Sequence, residues 1–206
     1  SFDIGYETYI DSLDLNFNMT YFGILVEDPI MGSNITSFQD NISGAENKSK
    51  GIELATNWTD NKKLDIAFNY TFTKSYSGMD CDKPEKDKWG YTSCLDTGHG
   101  WLESAMVRVP IHALSSKISY QFKKDWDNSL LITYKGRTRD YGGLDYSFKD
   151  QILDEYFLVD LKSSYKLYNN YNIDFSIKNL FDKSYENAFL YSGTPRTLNI
   201  GLNKSF

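Results

Sequence analysis

The residues able to do chemistry are gathered in a few polar stretches. Cys81 and Cys94, the chain's two cysteines, fall together in Ser77–Pro110. In an exported protein such a pair closes a small lobe as a disulfide, restricting the unfolded chain by about 3 kcal/mol. The alternative is two free thiols. Zinc fits poorly, because only His99 lies nearby and there is no Cys-x-x-Cys pair. Asp80, Asp82 and Asp96 offer oxygens to calcium, but their spacing matches no calcium loop and a solvated acidic loop is the plainer reading. Trp89, Tyr91, Trp101, Tyr141, Tyr146 and Tyr191 are loop aromatics that could stack on a ligand. Lys135, Arg137 and Arg139 recur at every second position, where they could attract an anion or pair with carboxylates such as Asp160. There is no nucleophile elbow, phosphate loop or paired histidine set, so catalysis has no support and no cofactor is expected.

The elements that would carry these residues follow from a two-residue rhythm. Leu64, Ile66, Phe68, Tyr70 and Phe72 alternate with Asp65, Ala67, Asn69 and Thr71. A period of two sends successive side chains to opposite faces of a strand. The pattern predicts about nine strands: Phe2–Ile10, Leu13–Val26, Lys48–Trp58, Lys63–Tyr76, Ile111–Phe122, Asn128–Arg139, Glu155–Lys166, Tyr171–Phe181 and Arg196–Phe206. Most exceed the 5–6 residues usual in soluble sheets and reach the 9–11 that cross a bilayer. Near Tyr21 and Phe22 the apolar parity changes, which predicts a bulge or the end of an apolar span.

Connection length sorts the same way. Asp11–Ser12, Thr59–Lys62, Lys123–Asp127 and Leu167–Asn170 are short, whereas Glu27–Asn47, Ser77–Pro110, Asp140–Asp154 and Asp182–Pro195 are long. Membrane barrels have short turns on one rim and long loops on the other. Trp58, Phe122, Tyr165, Tyr171 and Phe206 fall at the short-turn rim on the apolar parity, as an interfacial aromatic girdle would. His112 falls on the same parity near a rim and reads as an interfacial residue.

Composition agrees. Aromatics make up 16% of the 206 residues and only four are proline, which suits long ladders. The longest apolar runs, such as Ile24-Leu25-Val26, are far short of the ~18 residues of a spanning helix. A net charge of -6 without a basic stripe argues against nucleic acid. The fold class expected is therefore an all-β, antiparallel transmembrane β-barrel segment. An odd strand count would leave unpaired edges facing lipid, so the segment is expected to belong to a larger barrel, with residues 1–206 its carboxyl-terminal portion.

Specific motifs add a family. Lys178-Asn179-Leu180-Phe181-Asp182-Lys183-Ser184-Tyr185-Glu186, then Gly193-Thr194-Pro195-Arg196 and an alternating strand ending at Phe206, resemble the carboxyl terminus of TonB-dependent outer-membrane receptors. Lys50-Gly51-Ile52-Glu53-Leu54 resembles the family's recurring Gly-hydrophobic-Glu strand opening. The branch most similar is the cobalamin receptors, through Asn179–Glu186. The resemblance implies about the last nine strands of a twenty-two-stranded barrel, with the plug domain and earlier strands elsewhere. It also implies energised uptake of a scarce nutrient, cobalamin or an iron–siderophore complex, across the bacterial outer membrane. Its implied partners are outer-membrane lipid, the TonB complex acting through the plug, and the barrel assembly machinery, with Phe206 as the membrane-insertion signal. A passive porin and a soluble lipocalin-like barrel share the alternation and stay open at this point.

Overall fold

The computed structural model describes residues 1–27, 45–60, 62–80, 101–142 and 149–204. Long strands follow one another as neighbours: β1 (Phe2–Ile10), β2 (Leu15–Glu27), β3 (Ala45–Thr59), β4 (Leu64–Asp80), β5 (Trp101–Ala105), β6 (His112–Lys123), β7 (Trp126–Lys135), β8 (Thr138–Gly142), β9 (Lys149–Leu153), β10 (Tyr156–Lys166), β11 (Tyr171–Lys178), β12 (Glu186–Ala188), β13 (Tyr191–Ser192) and β14 (Thr197–Lys204). The main sheet has the order β1-β2-β3-β4-β6-β7-β10-β11-β14, an up-and-down path of nine strands, with β5 pairing the end of β4. Among the described residues the helical pieces are two single 3-10 turns, Asp11–Leu13 and Tyr168–Asn170.

Two compact units divide these residues. In the first (residues 1–3, 22–51 and 73–106) β4 and β5 form a hairpin arm from Tyr76 opposite Ala105 to Asp80 opposite Trp101. The Ser49 and Ser75 hydroxyls meet at 2.7 Å. Gly23 is buried under the Phe2 ring, and a Cβ there would come within 2.4 Å of a ring carbon.

The second unit (residues 4–21, 52–72 and 107–206) holds the most regular ladder. Its antiparallel registers keep one parity together across six strands. One row runs Ile66–Ile118–Leu130–Leu161–Ile177–Leu198, and the next runs Phe68–Ser116–Ile132–Val159. The alternate face carries Asp65–Ser119–Ser129–Lys162–Ser176–Asn199. Directly opposed residues share a face in an antiparallel pair, so each strand's alternation adds to its neighbour's. The apolar face is not folded away: Leu198, Ile200 and Leu202 are 59%, 72% and 65% exposed. Leu153 and Val159 are the buried hydrophobics among the described residues.

Several expected boundaries shift. Leu13 lies in a 3-10 turn whose following residue, Asp14, is left-handed, so β2 starts at Leu15. The strand expected over Asn128–Arg139 is two elements. Gly136 interrupts it: its N–H bonds the His112 carbonyl at 2.8 Å, where a Cβ would sit 3.0 Å from that oxygen. The chain then turns into the β8–β9 hairpin, within what read as an irregular connection. β11 ends at Lys178 instead of Phe181, because Asn179 is left-handed.

Candidate functional site

The polar face of the second unit carries a shallow groove of about 220 Å³. Lys117, Ser129, Asp160, Lys162, Ser176 and Lys178 supply its polar lining. Lys117 lies opposite Leu131, which in turn lies opposite Asp160, while Lys162 lies between Ser129 and Ser176. The three lysines are exposed and none forms an ion pair among the described residues. Asp160, held by the Asn179 N–H at 2.8 Å, is one carboxylate against three ammonium groups. Three ammonium groups and two hydroxyls on one strip of wall favour an anion.

Above the groove the chain leaves β11 through a side-chain-built knot. Asn179, 3% exposed, uses its whole amide: Nδ2 donates to the carbonyls of Lys183 (2.9 Å) and Thr194 (3.1 Å), and Oδ1 accepts the Lys183 N–H (2.9 Å). Its left-handed backbone (φ 51°) is one asparagine tolerates better than most residues. Asp182 accepts the Arg196 N–H at 2.8 Å, closing the base of the loop. The Tyr185 ring lies over Gly193, where a Cβ would come within 2.1 Å of it, and packs tilted at 44° against Tyr156, centroids 4.5 Å apart.

A second knot gathers three long connections. Asp140, 1% exposed, receives Arg108 Nε at 3.0 and 3.1 Å and the Phe189 N–H at 2.8 Å. Arg108 is itself left-handed, and its N–H bonds the Arg139 carbonyl at 2.7 Å. A buried carboxylate is stable only when so paired. Sequence reasoning missed this group because an aspartate in a connection reads as solvated.

The predicted ligand residues do not form one cluster. Lys135 stays on the polar face, opposite Ala113 and Tyr156. Contrary to the shared parity expected, Arg137 lies beyond β7 and pairs with Glu155 at 2.5 Å, with Asp154 at 3.9 Å. Its partner is therefore not Asp160. Arg139 sits in β8 opposite Ile152. Tyr191 is exposed in β13, Trp101 lies in β5 and Tyr141 in β8. Cys81, Cys94, Trp89, Tyr91, Tyr146, Asp82, Asp96, His99 and Phe206 lie outside the described residues.

The apolar face ends in aromatic belts. At the short-turn rim the rings of Tyr120, Phe122, Trp126 and Tyr165 run edge to face across β6, β7 and β10, with centroids 6.4, 5.2 and 6.2 Å apart. Trp126 joins the expected girdle between Phe122 and Tyr165. It had read as part of a turn, but β7 begins on it. Its indole N–H donates to Ser163 (2.7 Å), which donates to Asn128 (2.8 Å), so the polar atoms on this face satisfy one another. At the other end Tyr70, Phe72 and His112 pack together, with the Tyr70 hydroxyl 2.8 Å from His112 Nδ1. From His112 to Phe122 is ten residues along β6. At ~3.3 Å per residue and a tilt near 40° this spans roughly 25 Å, the height of a membrane barrel's apolar band.

Comparison with known proteins agrees with this geometry. A family profile described as "TonB dependent receptor-like, beta-barrel" matches residues 1–180. The metal-pseudopaline receptor CntO of Pseudomonas aeruginosa is 30% identical over 112 residues, covering 50% of this chain and 15% of that receptor. Among solved structures, the FrpB iron transporter of Neisseria meningitidis superposes with a TM-score of 0.72 at 16% identity, covering 99% of this chain and 30% of that one. The ferric-catecholate import receptor Fiu of E. coli K12 gives 0.69 at 18%, covering 99% and 27%. The pyoverdine outer-membrane receptor FpvA of P. aeruginosa gives 0.63 at 20%, covering 99% and 30%.

The fold is that of an outer-membrane receptor barrel. The chain belongs to the TonB-dependent receptor β-barrel family, a family of transport receptors, and spans under a third of the length of the relatives named above.

Proposed function

We propose that the receptor containing this chain imports an anionic metal chelate, of the siderophore or metallophore kind, by energised transport. The observation that carries the reading is the strip of Lys117, Lys162 and Lys178 on the polar wall, in no ion pair among the described residues. The chain's similarity to a metal-pseudopaline receptor, a ferric-catecholate import receptor and a pyoverdine receptor supports a metal chelate over the cobalamin suggested by Asn179–Glu186. In this reading the apolar face lies in outer-membrane lipid, further strands and a plug complete the barrel, and the plug contacts the TonB complex. The exposed Tyr191 belongs with Trp89, Tyr91, Trp101, Tyr141 and Tyr146 to the loops that first meet the ligand. A Cys81–Cys94 bridge would stiffen one of those loops; alkylation of Cys81 only after reduction would support it.

The test is uptake of radiolabelled iron chelates by cells carrying the full-length receptor, with and without an uncoupler. The expected result is energy-dependent uptake of an anionic chelate that falls several-fold when all three lysines become glutamine. Uptake of labelled cobalamin alone would overturn the substrate class. Uptake indifferent to the uncoupler would favour a passive channel.

A further inference from the structure

The apolar face carries almost no charge, so the cations that reach it stand out. Across the registered rows of β4, β6, β7, β10, β11 and β14, two lysines share that face, Lys123 and Lys204. Both lie at the short-turn rim, and each is directly opposite an aromatic residue: Lys123 faces Trp126 and Lys204 faces Tyr171.

Lys123 is there because of a backbone irregularity. The β6–β7 register shifts between Gln121 and Lys123. Without that shift Lys123 would follow Gln121 onto the polar face. A bulge gives up ladder pairing and re-aims a side chain, and here it sets Lys123 opposite Trp126, on the parity of the apolar face. Lys204 reaches the face by ordinary alternation, and its Nζ lies 5.0 Å over the Tyr171 ring. Lys124 extends the positive patch in the adjoining turn, and both Lys123 and Lys124 are exposed and in no ion pair among the described residues.

Nearby carboxylates are turned to other tasks. Asp127 is on the polar parity and accepts Gln121 Nε2 at 3.1 Å, and Asp174 accepts Asn203 on that same face. Asp125 remains beside Lys124 in the turn, where its backbone carbonyl accepts the Lys166 N–H. The apolar side of the rim thus carries exposed cations at Lys123 and Lys124 near the exposed rings of Phe122 and Trp126.

We propose that this rim holds two sites for anionic glycerophospholipid headgroups, one at Lys123, Lys124 and Trp126 and one at Lys204 and Tyr171. The two lie four strand spacings apart, about 19 Å, so each takes its own lipid. A lipid fits better than free phosphate because Phe122 and Tyr165 leave apolar surface exposed at the same rim, where acyl chains would cover it. The inference rests on the reading that the apolar face lies in lipid.

The test uses the full-length receptor in vesicles of phosphatidylethanolamine and phosphatidylglycerol, with trace spin-labelled lipid of either kind. The expected result is about a threefold preference for motionally restricted phosphatidylglycerol, lost in K123Q/K204Q and kept in K123R/K204R. Equal association of both lipids with the unaltered receptor, or a preference unchanged in the glutamine variant, would overturn the headgroup sites. Absence of restricted lipid of either kind would instead contradict the membrane face itself.

Discussion

Residues 107–206 contain two regions held together by opposite means. The ladder from β6 to β14 is secured by repeated backbone pairing, and its side chains sort only by face. The loop between β11 and β14 has little regular pairing and is fixed by Asn179, Asp182 and the Tyr185–Gly193 contact. The ladder should therefore tolerate any exchange that preserves polarity, and the loop should tolerate almost none. The long strands are stabilised by a pattern, whereas this loop is stabilised by particular atoms.

Breaking that contrast starts with Asn179. Asn179→Leu removes three part-buried amide hydrogen bonds and puts an apolar side chain against their polar partners, at about 1–3 kcal/mol for each group left unsatisfied. A loss of about 3–5 kcal/mol is expected in denaturant titration of the receptor in lipid, and a loss below ~1 kcal/mol would show that the knot is not structural. Phe68→Arg, at mid-strand on the apolar face, should cost about 2–4 kcal/mol, while Asn69→Arg on the other face should cost under ~1 kcal/mol. Equal costs would erase the distinction between the faces. Gly193→Ala should cost about 1–3 kcal/mol because Tyr185 must move, and the paired change to Gly193→Ala with Tyr185→Leu should recover part of it.

The smallest effect sharpens the comparison at a short turn. Asp60 Oδ1 accepts the N–H groups of Leu64, Lys63 and Lys62, at 2.9, 2.7 and 2.8 Å, and these bonds hold its carboxyl below the ordinary carboxylate range. A depressed carboxyl stabilises the folded turn above the ordinary value, and the stabilisation is lost as pH falls through the lowered value. Amide exchange at Lys62–Leu64 should therefore quicken in acid beyond its intrinsic pH dependence. Asp60→Asn should remove that extra dependence, and an unchanged profile would rule out the carboxylate as its source.

How much of this was legible in the sequence divides along the same line. Alternation is a property of every residue in a strand, so the nine-strand path and the apolar parity were readable from residues such as Leu64–Phe72. β1 matches its expected span, Phe2–Ile10. The hairpins β8–β9 and β12–β13 were not readable, because short strands inside polar connections carry too few alternations to register. The Arg108–Asp140–Phe189 knot joins residues far apart in the chain through one carboxylate and a backbone N–H, and no local pattern signals it. Asn179 was visible as a motif letter, but its role as a hydrogen-bond hub needed the carbonyls of Lys183 and Thr194 brought to it. Arg137 was misplaced for a single reason, the interruption at Gly136.

The outward orientation of the apolar face is best tested by spin labels placed singly at residues 65 to 71 of the full-length receptor in lipid vesicles. Labels replacing Ile66, Phe68 and Tyr70 should collide with oxygen dissolved in lipid, and labels replacing Asp65, Ala67, Asn69 and Thr71 with a water-soluble nickel chelate. The accessibility should alternate with a period of two. An inverted phase, with the even positions shielded and the odd ones in lipid, would contradict the account.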